Sequence, residues 1–249
     1  MQNNLFENKT ILIAGASGGI GNSLSMKLLK SSANIIAVYN KNHPDDLIAK
    51  NITLFKADLT KPEEWDKLLQ FTHDIYGRID VMINCTGVLI PGDFLNHTEE
   101  QIIEMINTNF SSALIGTHKT LKIIKEQRFG QIINLGSVGG IISMPYTSVY
   151  CATKFALRGF TYSVAQELKD TGVSISLISP GPVNTNMLKL EANHKKTAVA
   201  FVSNVINPEQ VAESIIKTMS HPKTEVIIPS HLSLSAKSLF FFPRIFSTF

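Results

Sequence analysis

Tyr150 and Lys154 are four positions apart in the stretch SVYCATK, residues 148–154. On an α-helix, this spacing places both side chains on one face, one turn apart. A phenol titrates at about pH 10, so it is a poor acid or base at neutral pH, but an adjacent ammonium group favours the phenolate and lowers its pKa. The two residues are therefore a candidate pair for proton transfer. The same spacing also occurs by chance on many helices.

A glycine-rich turn near the N-terminus is a candidate phosphate-binding site. The apolar run Thr10–Ala14 predicts a buried strand and leads directly into GASGGIG, residues 15–21, after which apolar side chains recur at helical spacing. Glycines permit a tight turn and a close approach of the backbone to phosphate, and the N-terminus of the helix offers free N–H groups. The spacing of the glycines differs from G-x-G-x-x-G, so we expect a wider dinucleotide-binding turn.

The residues after the second predicted strand, Asn34–Tyr39, bear on the choice of dinucleotide. At this place in a dinucleotide-binding fold the chain meets the adenosine ribose. An acidic residue would repel a 2′-phosphate, but the sequence has Asn40, Lys41 and Asn42. Lys41 can neutralise a 2′-phosphate, which favours NADP and leaves NAD as the alternative. The other interpretation of Lys41 is a solvated surface lysine.

Polar residues follow two further predicted strands. NCTG, residues 84–87, follows the fourth strand, and Ser137 follows the fifth. Because ligands of open α/β sheets bind at the carboxyl ends of the strands, Ser137 is a candidate hydrogen-bonding partner of a substrate carbonyl or alcohol, or else a turn serine among glycines. Asn107 and Asn109 interrupt a predicted helix, and the pattern alone favours a solvated or locally bonded asparagine.

The alternation of strands and helices predicts one α/β domain spanning residues 1–249, with a single doubly wound parallel sheet of the Rossmann type and helices on both faces. The predicted strands cover residues 10–14, 34–39, 52–55, 80–84, 131–135, 173–178 and 225–228. The predicted helices after the glycine-rich turn cover residues 62–76, 98–125, 148–170 and 208–220.

Composition excludes several classes of function. The chain has 249 residues, a net charge of +3 and no basic run, which argues against nucleic acid as a partner. The two cysteines, Cys85 and Cys151, lack metal-ligand spacing and are typical of a reducing compartment. The N-terminus has no signal-peptide pattern, and no apolar run is long enough to span a bilayer. We therefore expect a cytoplasmic protein without a metal site.

Two segments depart from the regular pattern. Residues 186–207, approximately, are mixed and polar, and we expect them to form a mobile lid over the substrate. The tail, residues 230–249, favours packing against a second subunit or along a substrate channel, with peripheral membrane contact as an alternative. Its large apolar side chains are Leu232, Leu234, Leu239, Phe240, Phe241, Phe242, Ile245, Phe246 and Phe249.

Taken together, these motifs have the order and spacing of one known family. The chain resembles the short-chain dehydrogenase/reductase family over almost its full length. The motifs that carry the resemblance are the turn at residues 15–21, Asp58, residues 84–87, Asn109, Ser137, Tyr150 with Lys154, and Pro180-Gly181 with Thr185.

The resemblance implies a catalytic role for four residues. Tyr150 would protonate the carbonyl oxygen during reduction, or remove the hydroxyl proton during oxidation. Lys154 would lower the pKa of Tyr150 and hold the nicotinamide ribose. Ser137 would orient and polarise the carbonyl oxygen, and Asn109 would help to hold a water molecule in a proton relay beyond Lys154.

The resemblance also implies a set of cofactor contacts besides Tyr150, Lys154 and Lys41. Asp58 would reach the adenine, and Thr185 would bond the carboxamide. The remaining contacts would come from the pyrophosphate turn (Gly15, Ser17, Gly19, Ile20), from the centre of the site (Asn84, Gly87), and from Leu59, Pro180, Gly181 and Val183.

Four positions depart from the family pattern. Ala14 replaces the usual Thr, Cys85 and Thr86 replace the usual Asn and Ala, and Gly136 replaces a common Ser. None of these changes touches the reacting atoms. Gly18 occupies a place inside the turn where many NADP-dependent members carry a basic residue, which weakens the preference for NADP.

The sequence thus predicts an NAD(P)-dependent oxidoreductase, with NADPH favoured, that interconverts a ketone or aldehyde and an alcohol. One alternative is a non-enzymatic dinucleotide-binding protein that senses redox state, which would not need all four catalytic residues. Another alternative is the same chemistry on a lipid-like substrate at a membrane surface. The resemblance also suggests a homodimer or a homotetramer.

Overall fold

The computed structural model describes residues 6–193 and 205–230. Seven strands form one sheet in the order β3-β2-β1-β4-β5-β6-β7, and every pair of neighbouring strands is parallel. The predicted doubly wound parallel sheet is therefore confirmed. The strands are β1 (Thr10–Ala14), β2 (Asn34–Tyr39), β3 (Ile52–Lys56), β4 (Val81–Asn84), β5 (Gly130–Leu135), β6 (Val173–Pro180) and β7 (Glu225–Ile228).

Helices cover both faces of the sheet. They are α1 (Gly19–Leu28), α2 (Pro62–Tyr76), α3 (Glu99–Ile106), α4 (Ser112–Gln127), α5 (Ser148–Glu167), α6 (Asn186–Asn193) and α7 (Pro208–Ser220). Along β1, Ile11 and Ile13 pack in a hydrophobic cluster with α1 and α7, whereas Leu12 and Ala14 pack in a second cluster with α2, α4 and α5. Successive side chains of a strand point to opposite faces, so the apolar side chains of β1 contribute to both cores.

The strand order reverses between β1 and β4. The chain moves from β1 outwards through β2 and β3, then returns to place β4 on the other side of β1. Ligands of open α/β sheets bind in the crevice at such a reversal. The turn after β1 and the loop after β4 meet there, since a Cβ atom on Gly15 would lie 3.0 Å from the backbone of Cys85. This crevice is where the candidate site residues converge.

The helix predicted over residues 98–125 is interrupted at Asn107 and Asn109, as the sequence indicated. Thr98 caps α3 with a reciprocal capping box, but α3 ends at Ile106 and a π-helical turn, Asn107–Ser111, separates it from α4. A π-helical turn inserts an extra residue and often lies at a functional site. Here it carries Asn109, whose side chain is buried.

The predicted lid and tail are described only in part. Residues 186–193 of the expected lid form α6, a regular helix, whereas residues 194–204 lie outside the described residues, as do residues 231–249 of the apolar tail. Within the described ranges, no helix has the length and hydropathy needed to cross a bilayer.

Two helical glycines give a test of this packing. A Cβ atom on Gly116 of α4 would collide with the indole ring of Trp65 on α2, whereas one on Gly159 of α5 would meet nothing within 4 Å. We expect Gly116→Ala to destabilise the protein by about 1–3 kcal/mol through overpacking. Gly159→Ala should stabilise it by about 0.5–1 kcal/mol through lower backbone entropy.

Urea unfolding of the two variants and the wild type is the measurement. Equal effects of the two substitutions would contradict the close packing of α2 against α4.

Candidate active site

Ser137 and Tyr150 come together at the carboxyl edge of the sheet. Ser137 follows β5 and Tyr150 lies in the first turn of α5, and Ser137 is close enough to lower the pKa of the Tyr150 phenol. The N–H group of Gly139 donates to Ser137 Oγ at 3.0 Å, which holds the serine in place. A Cβ atom on Gly139 would lie 3.4 Å from both Ser137 Oγ and Tyr150 Cε1, so the glycine leaves room for this pair.

Lys154 is buried one turn further along α5, with 3% of its surface exposed. Its Nζ donates a hydrogen bond to the carbonyl oxygen of Leu135 at 2.8 Å and lies 5.7 Å from the ring centroid of Tyr150. Burial lowers the pKa of Lys154 to about 8, against a smaller opposite effect of Cys85. A buried ammonium is costly, and the backbone carbonyl compensates part of that cost.

The pKa of Tyr150 differs from the expectation. We expected the neighbouring ammonium to lower it, but burial raises the pKa of Tyr150 to about 12. Ser137 acts in the opposite direction, whereas Cys151 and Glu191 raise the pKa further. Desolvation disfavours the phenolate, and the ammonium of Lys154 bonds to a backbone carbonyl instead of the phenol. At neutral pH, Tyr150 is therefore protonated.

The side chain of Asn109 is buried and forms hydrogen bonds with the loop at Val88 and with α5. It is therefore neither a solvated asparagine nor one that bonds only within its own helix. Its Oδ1 accepts from the N–H group of Val88 at 2.7 Å, and its Nδ2 donates to the carbonyl oxygen of Val88 at 2.9 Å. The same Nδ2 also donates to the hydroxyl of Thr153 at 3.2 Å. Next to this loop, a Cβ atom on Gly87 would lie 3.6 Å from Asn109 Oδ1 and 3.8 Å from Lys154 Nζ. The predicted catalytic residues Asn109 and Lys154 therefore share one pocket.

The glycine-rich turn fits a dinucleotide. Gly15 has φ +84°, in the left-handed region that favours glycine, and a Cβ atom on Gly21 would collide with the carbonyl oxygen of Gly15. Helix α1 begins at Gly19 without a side-chain cap from Gly18, so the N–H groups of its first turn remain suited to a phosphate. A Cβ atom on Gly19 would lie 2.7 Å from Thr185 Cγ2, which brings the predicted carboxamide contact beside the predicted pyrophosphate turn.

Most other predicted cofactor contacts lie along the same edge of the sheet. Ser17 and Ile20 are partly buried in the turn, and Lys41 is exposed just after β2. After β3, Asp58 Oδ1 accepts from the N–H and hydroxyl groups of Thr60. In the same loop, buried Leu59 accepts at its carbonyl from the indole of Trp65.

The loop after β6 continues the row of predicted contacts. Pro180 ends β6, and the N–H group of Gly181 donates to Ile228 at the end of β7. Val183 forms an isolated parallel bridge with Ile206. The loop that leads to Thr185 is thus attached to the edge of the sheet.

Asn84 takes part in the sheet itself. Its Nδ2 donates to Asn134 Oδ1 at 2.7 Å across β4 and β5, Asn134 in turn donates to the hydroxyl of Thr161 on α5, and Asn84 is only 2% exposed. In this position Asn84 links two strands and, through Asn134, α5; its predicted support of a cofactor stays a prediction.

Sequence reasoning missed three residues near the site. The hydroxyl of Thr153 accepts a hydrogen bond from Asn109 Nδ2, and it donates one to the carbonyl oxygen of Tyr150 at 2.7 Å. On α6, the methyl group of Met187 would lie 3.8 Å from a Cβ atom on Gly87, and Glu191 is buried. Their signal was the four-residue spacing of Met187 and Glu191 within a segment that we treated as irregular.

Comparison with known sequences identifies the family. The short chain dehydrogenase family matches residues 9–196. An uncharacterized oxidoreductase of Staphylococcus saprophyticus is 30% identical over 246 residues, covering 95% of this chain and 100% of that protein. The ketoacyl reductase HetN of Nostoc sp. is 31% identical over 230 residues, covering 88% of this chain and 78% of that protein. The chain belongs to the short-chain dehydrogenase/reductase family of oxidoreductases.

Solved structures share the fold. A short-chain dehydrogenase from Streptomyces avermitilis has a TM-score of 0.79 and 23% identity, covering 95% of this chain and 96% of that one. ElxO with NADP bound has a TM-score of 0.79 and 23% identity, covering 90% of this chain and 99% of that one. At this level of identity, the likeness establishes the shared fold alone.

The burial of Lys154 makes a prediction about stability and pH. Burial lowers its pKa from 10.5 to about 8. Below about pH 8 both the folded and the unfolded chains are protonated, and the folded chain bears the full cost of a buried charge. Between pH 8 and 10.5 the unfolded chain binds more protons, so wild-type stability rises with pH.

We therefore expect Lys154→Met to be more stable than the wild type at pH 7. The difference should be about 2 kcal/mol after allowing for the carbonyl of Leu135 left unpaired, and it should shrink as pH rises towards 10.5. Urea unfolding of cofactor-free protein across this pH range measures it, with exposed Lys169→Met as the matched control. If the variant is less stable than the wild type at pH 7, the buried charge of Lys154 does not destabilise the folded protein, and the prediction is wrong.

Proposed function

We propose that this protein is an NADPH-dependent reductase of a ketone or aldehyde, and that it also catalyses the reverse oxidation of the alcohol. The observation that carries the proposal is the placement of Ser137 and Tyr150 on either side of Gly139, each 3.4 Å from a Cβ atom built there, with buried Lys154 one helical turn away. Membership of the oxidoreductase family supports it, as does the name of the 31% identical ketoacyl reductase.

Each of the four predicted catalytic side chains has a separate role in the proposed reaction. When bound, the nicotinamide cofactor supplies the hydride. Tyr150 gives its proton to the carbonyl oxygen as negative charge develops there, and Ser137 donates a hydrogen bond to the same oxygen. Lys154 holds the ribose hydroxyls and compensates the phenolate that remains. Asn109 holds the loop at Gly87 and Val88 against α5, and a water molecule beside it would return a proton to Tyr150.

The preference for NADPH rests on charge after β2. Lys41 is exposed there, and the flanking residues, Asn40 and Asn42, are neutral. An exposed ammonium at this place can pair with a 2′-phosphate through a charge-assisted hydrogen bond, and neither chain neighbour of Lys41 carries a negative charge. The NADP bound to ElxO is consistent with this choice, with NAD as the alternative.

We also propose that the protein is a homodimer or a homotetramer. A groove of about 550 Å³ lies between α3 and α5. Burial of this apolar surface against a second copy would remove it from water. The apolar side chains that line it include Phe94, Ile102, Ile106, Phe110, Val149 and Ala152.

The first test is reduction of a panel of ketones and aldehydes with NADPH. We expect turnover by the wild type and a loss of about 10²–10⁴-fold in kcat for Tyr150→Phe, because the variant lacks the acidic proton. Tyr146→Phe removes a phenol from the neighbouring loop and is the control for the loss of a tyrosine hydroxyl. Tight binding of NADPH with no turnover of any compound would favour the redox sensor.

The second test concerns the cofactor. Lys41→Gln should raise KM for NADPH roughly tenfold, because a charge-assisted contact with phosphate is lost, and should leave KM for NADH unchanged. Lys50→Gln is the matched control, since Lys50 is exposed but precedes β3 at the opposite edge of the sheet. Equal effects on the two cofactors would contradict the assignment of Lys41.

A further inference from the structure

The hydroxyl of Thr153 joins two parts of the candidate site. It accepts a hydrogen bond from Asn109 Nδ2 at 3.2 Å and donates one to the carbonyl oxygen of Tyr150 at 2.7 Å. Both threonine and asparagine are buried, Thr153 with 4% and Asn109 with 1% of its surface exposed. Thr153 therefore connects the π-helical turn, Asn107–Ser111, to the first turn of α5, where Tyr150 lies.

The direction of these hydrogen bonds is fixed by the chemistry of the groups. A hydroxyl has one proton to donate, and a carbonyl oxygen only accepts. Because Thr153 gives its proton to Tyr150, it offers Asn109 only a lone pair, so the amide must present its NH₂ group. Val88 requires the same orientation of the amide, since its N–H group donates to Asn109 Oδ1 and its carbonyl oxygen accepts from Nδ2. The hydroxyl and the peptide groups of Val88 therefore agree on one orientation of the Asn109 side chain.

The amide held in this way borders the pocket that Lys154 enters. A Cβ atom on Gly87 would lie 3.6 Å from Asn109 Oδ1 and 3.8 Å from Lys154 Nζ. A shift of the loop at Gly87 and Val88 would therefore change the surroundings of the buried ammonium. Without the hydroxyl of Thr153, one buried N–H bond of Asn109 would lack its acceptor. The loop would then lose this side-chain link to α5.

The helix itself does not need the hydroxyl of Thr153. Threonine hydroxyls commonly bond to a carbonyl oxygen of the preceding turn, as the hydroxyl of Thr72 does on α2, where it donates to Leu68 at 2.7 Å. At Thr153 the local bond also turns the lone pairs of the hydroxyl towards Asn109, because a β-branched side chain has few rotamers. The bond to Asn109 is the part of this arrangement that reaches the site.

We propose that Thr153 is a positioning residue for the proposed proton transfer. Through Asn109, its hydroxyl fixes the loop at Gly87 and Val88 relative to the first turn of α5. This loop is predicted to support the cofactor, and α5 carries the proton donor, so the link sets how hydride and proton meet at one carbonyl group. The inference rests on the proposed function. Small misplacements of reacting groups cost up to about 10²-fold in rate.

The test compares substitutions that keep or remove the hydroxyl. Thr153→Val keeps the shape of the side chain without the hydroxyl, and Thr153→Ser keeps the hydroxyl. The measurement is reduction of ethyl acetoacetate and benzaldehyde, followed by the rest of the panel, with NADPH. Fluorescence titration with NADPH counts the binding sites, so that kcat refers to folded protein.

We expect Thr153→Val to lower kcat about 10–100-fold and to leave KM for NADPH nearly unchanged, because the predicted contacts of its adenosine and pyrophosphate groups remain. Thr153→Ser should recover most of the wild-type kcat. If Thr153→Val does not fold, Thr153→Ala removes the same hydroxyl and replaces it.

A merely structural role would change stability and leave kcat per binding site unchanged. Thr72→Val is the matched control, because Thr72 is buried and its hydroxyl also donates to a carbonyl oxygen of its own helix at 2.7 Å. It should lower the midpoint of urea unfolding without a change in kcat. An unchanged kcat in Thr153→Val, or no recovery in Thr153→Ser, would overturn the inference but not the proposed function.

A second measurement tests whether Thr153 acts through Asn109. In an Asn109→Ala background the hydroxyl has no amide to hold, so the addition of Thr153→Val should lower kcat by less than about twofold. An equal loss in both backgrounds would overturn only the inference. A wild type that reduces no carbonyl compound, with activity equal to that of Tyr150→Phe, would overturn both the inference and the proposed function.

Discussion

The parallel direction of all seven strands is the constraint on which the site depends. Because every strand runs the same way, every carboxyl end lies on one edge of the sheet. The glycine-rich turn, the loop at Gly87 and the loop at Ser137 follow β1, β4 and β5, which are neighbours in the sheet although they are far apart in the chain. The reversal of strand order between β1 and β4 then opens the crevice that these loops surround.

Burial governs the electrostatics of this crevice. It lowers the pKa of Lys154, and it raises the pKa of Tyr150 and of Glu191. In all three cases the direction favours the neutral form, as desolvation requires. Polar groups in such a place must find partners, and here the backbone supplies them, at Leu135 for the lysine and at Val88 for Asn109.

Much of this arrangement could be predicted from the sequence. The apolar runs of β1 and β2 had their observed bounds, because buried parallel strands carry continuous apolar side chains. Tyr150 and Lys154 could be paired because helical spacing is local and regular. The partner of Asn109 could not be predicted, because Val88 lies twenty-one residues away and the π-helical turn leaves no clear periodic signal.

The prediction of the pKa of Tyr150 shows a second limit of what can be inferred from sequence alone. Spacing alone placed an ammonium beside a phenol, and from proximity we inferred a lowered pKa for Tyr150. The desolvation that raises this pKa comes from residues of many elements packed around the ring, which no local pattern contains. In the same way, α6 was treated as irregular because its contact through Met187 is with the loop at Gly87, which is far away in the chain.

Hydrogen bonds attach α5 to the sheet two to three turns beyond Tyr150. Nε and Nη2 of Arg158 each donate to Glu225 on β7 at 2.9 Å, and the hydroxyl of Tyr162 donates to the same carboxylate at 2.7 Å. The carboxylate also accepts from Ser179 on β6. These bonds join α5 to two strands, so the first turns of the helix hold Tyr150 and Lys154 in a defined geometry.

Helix α6 is placed differently from α5, since it follows a loop beyond β6 and approaches the crevice from outside the sheet. A side chain on such a helix can change without loss of the bonds that hold α5. The side chains of the proposed proton transfer, Tyr150 and Lys154, therefore lie on an element bonded to the sheet, which suits chemistry that needs accurate placement.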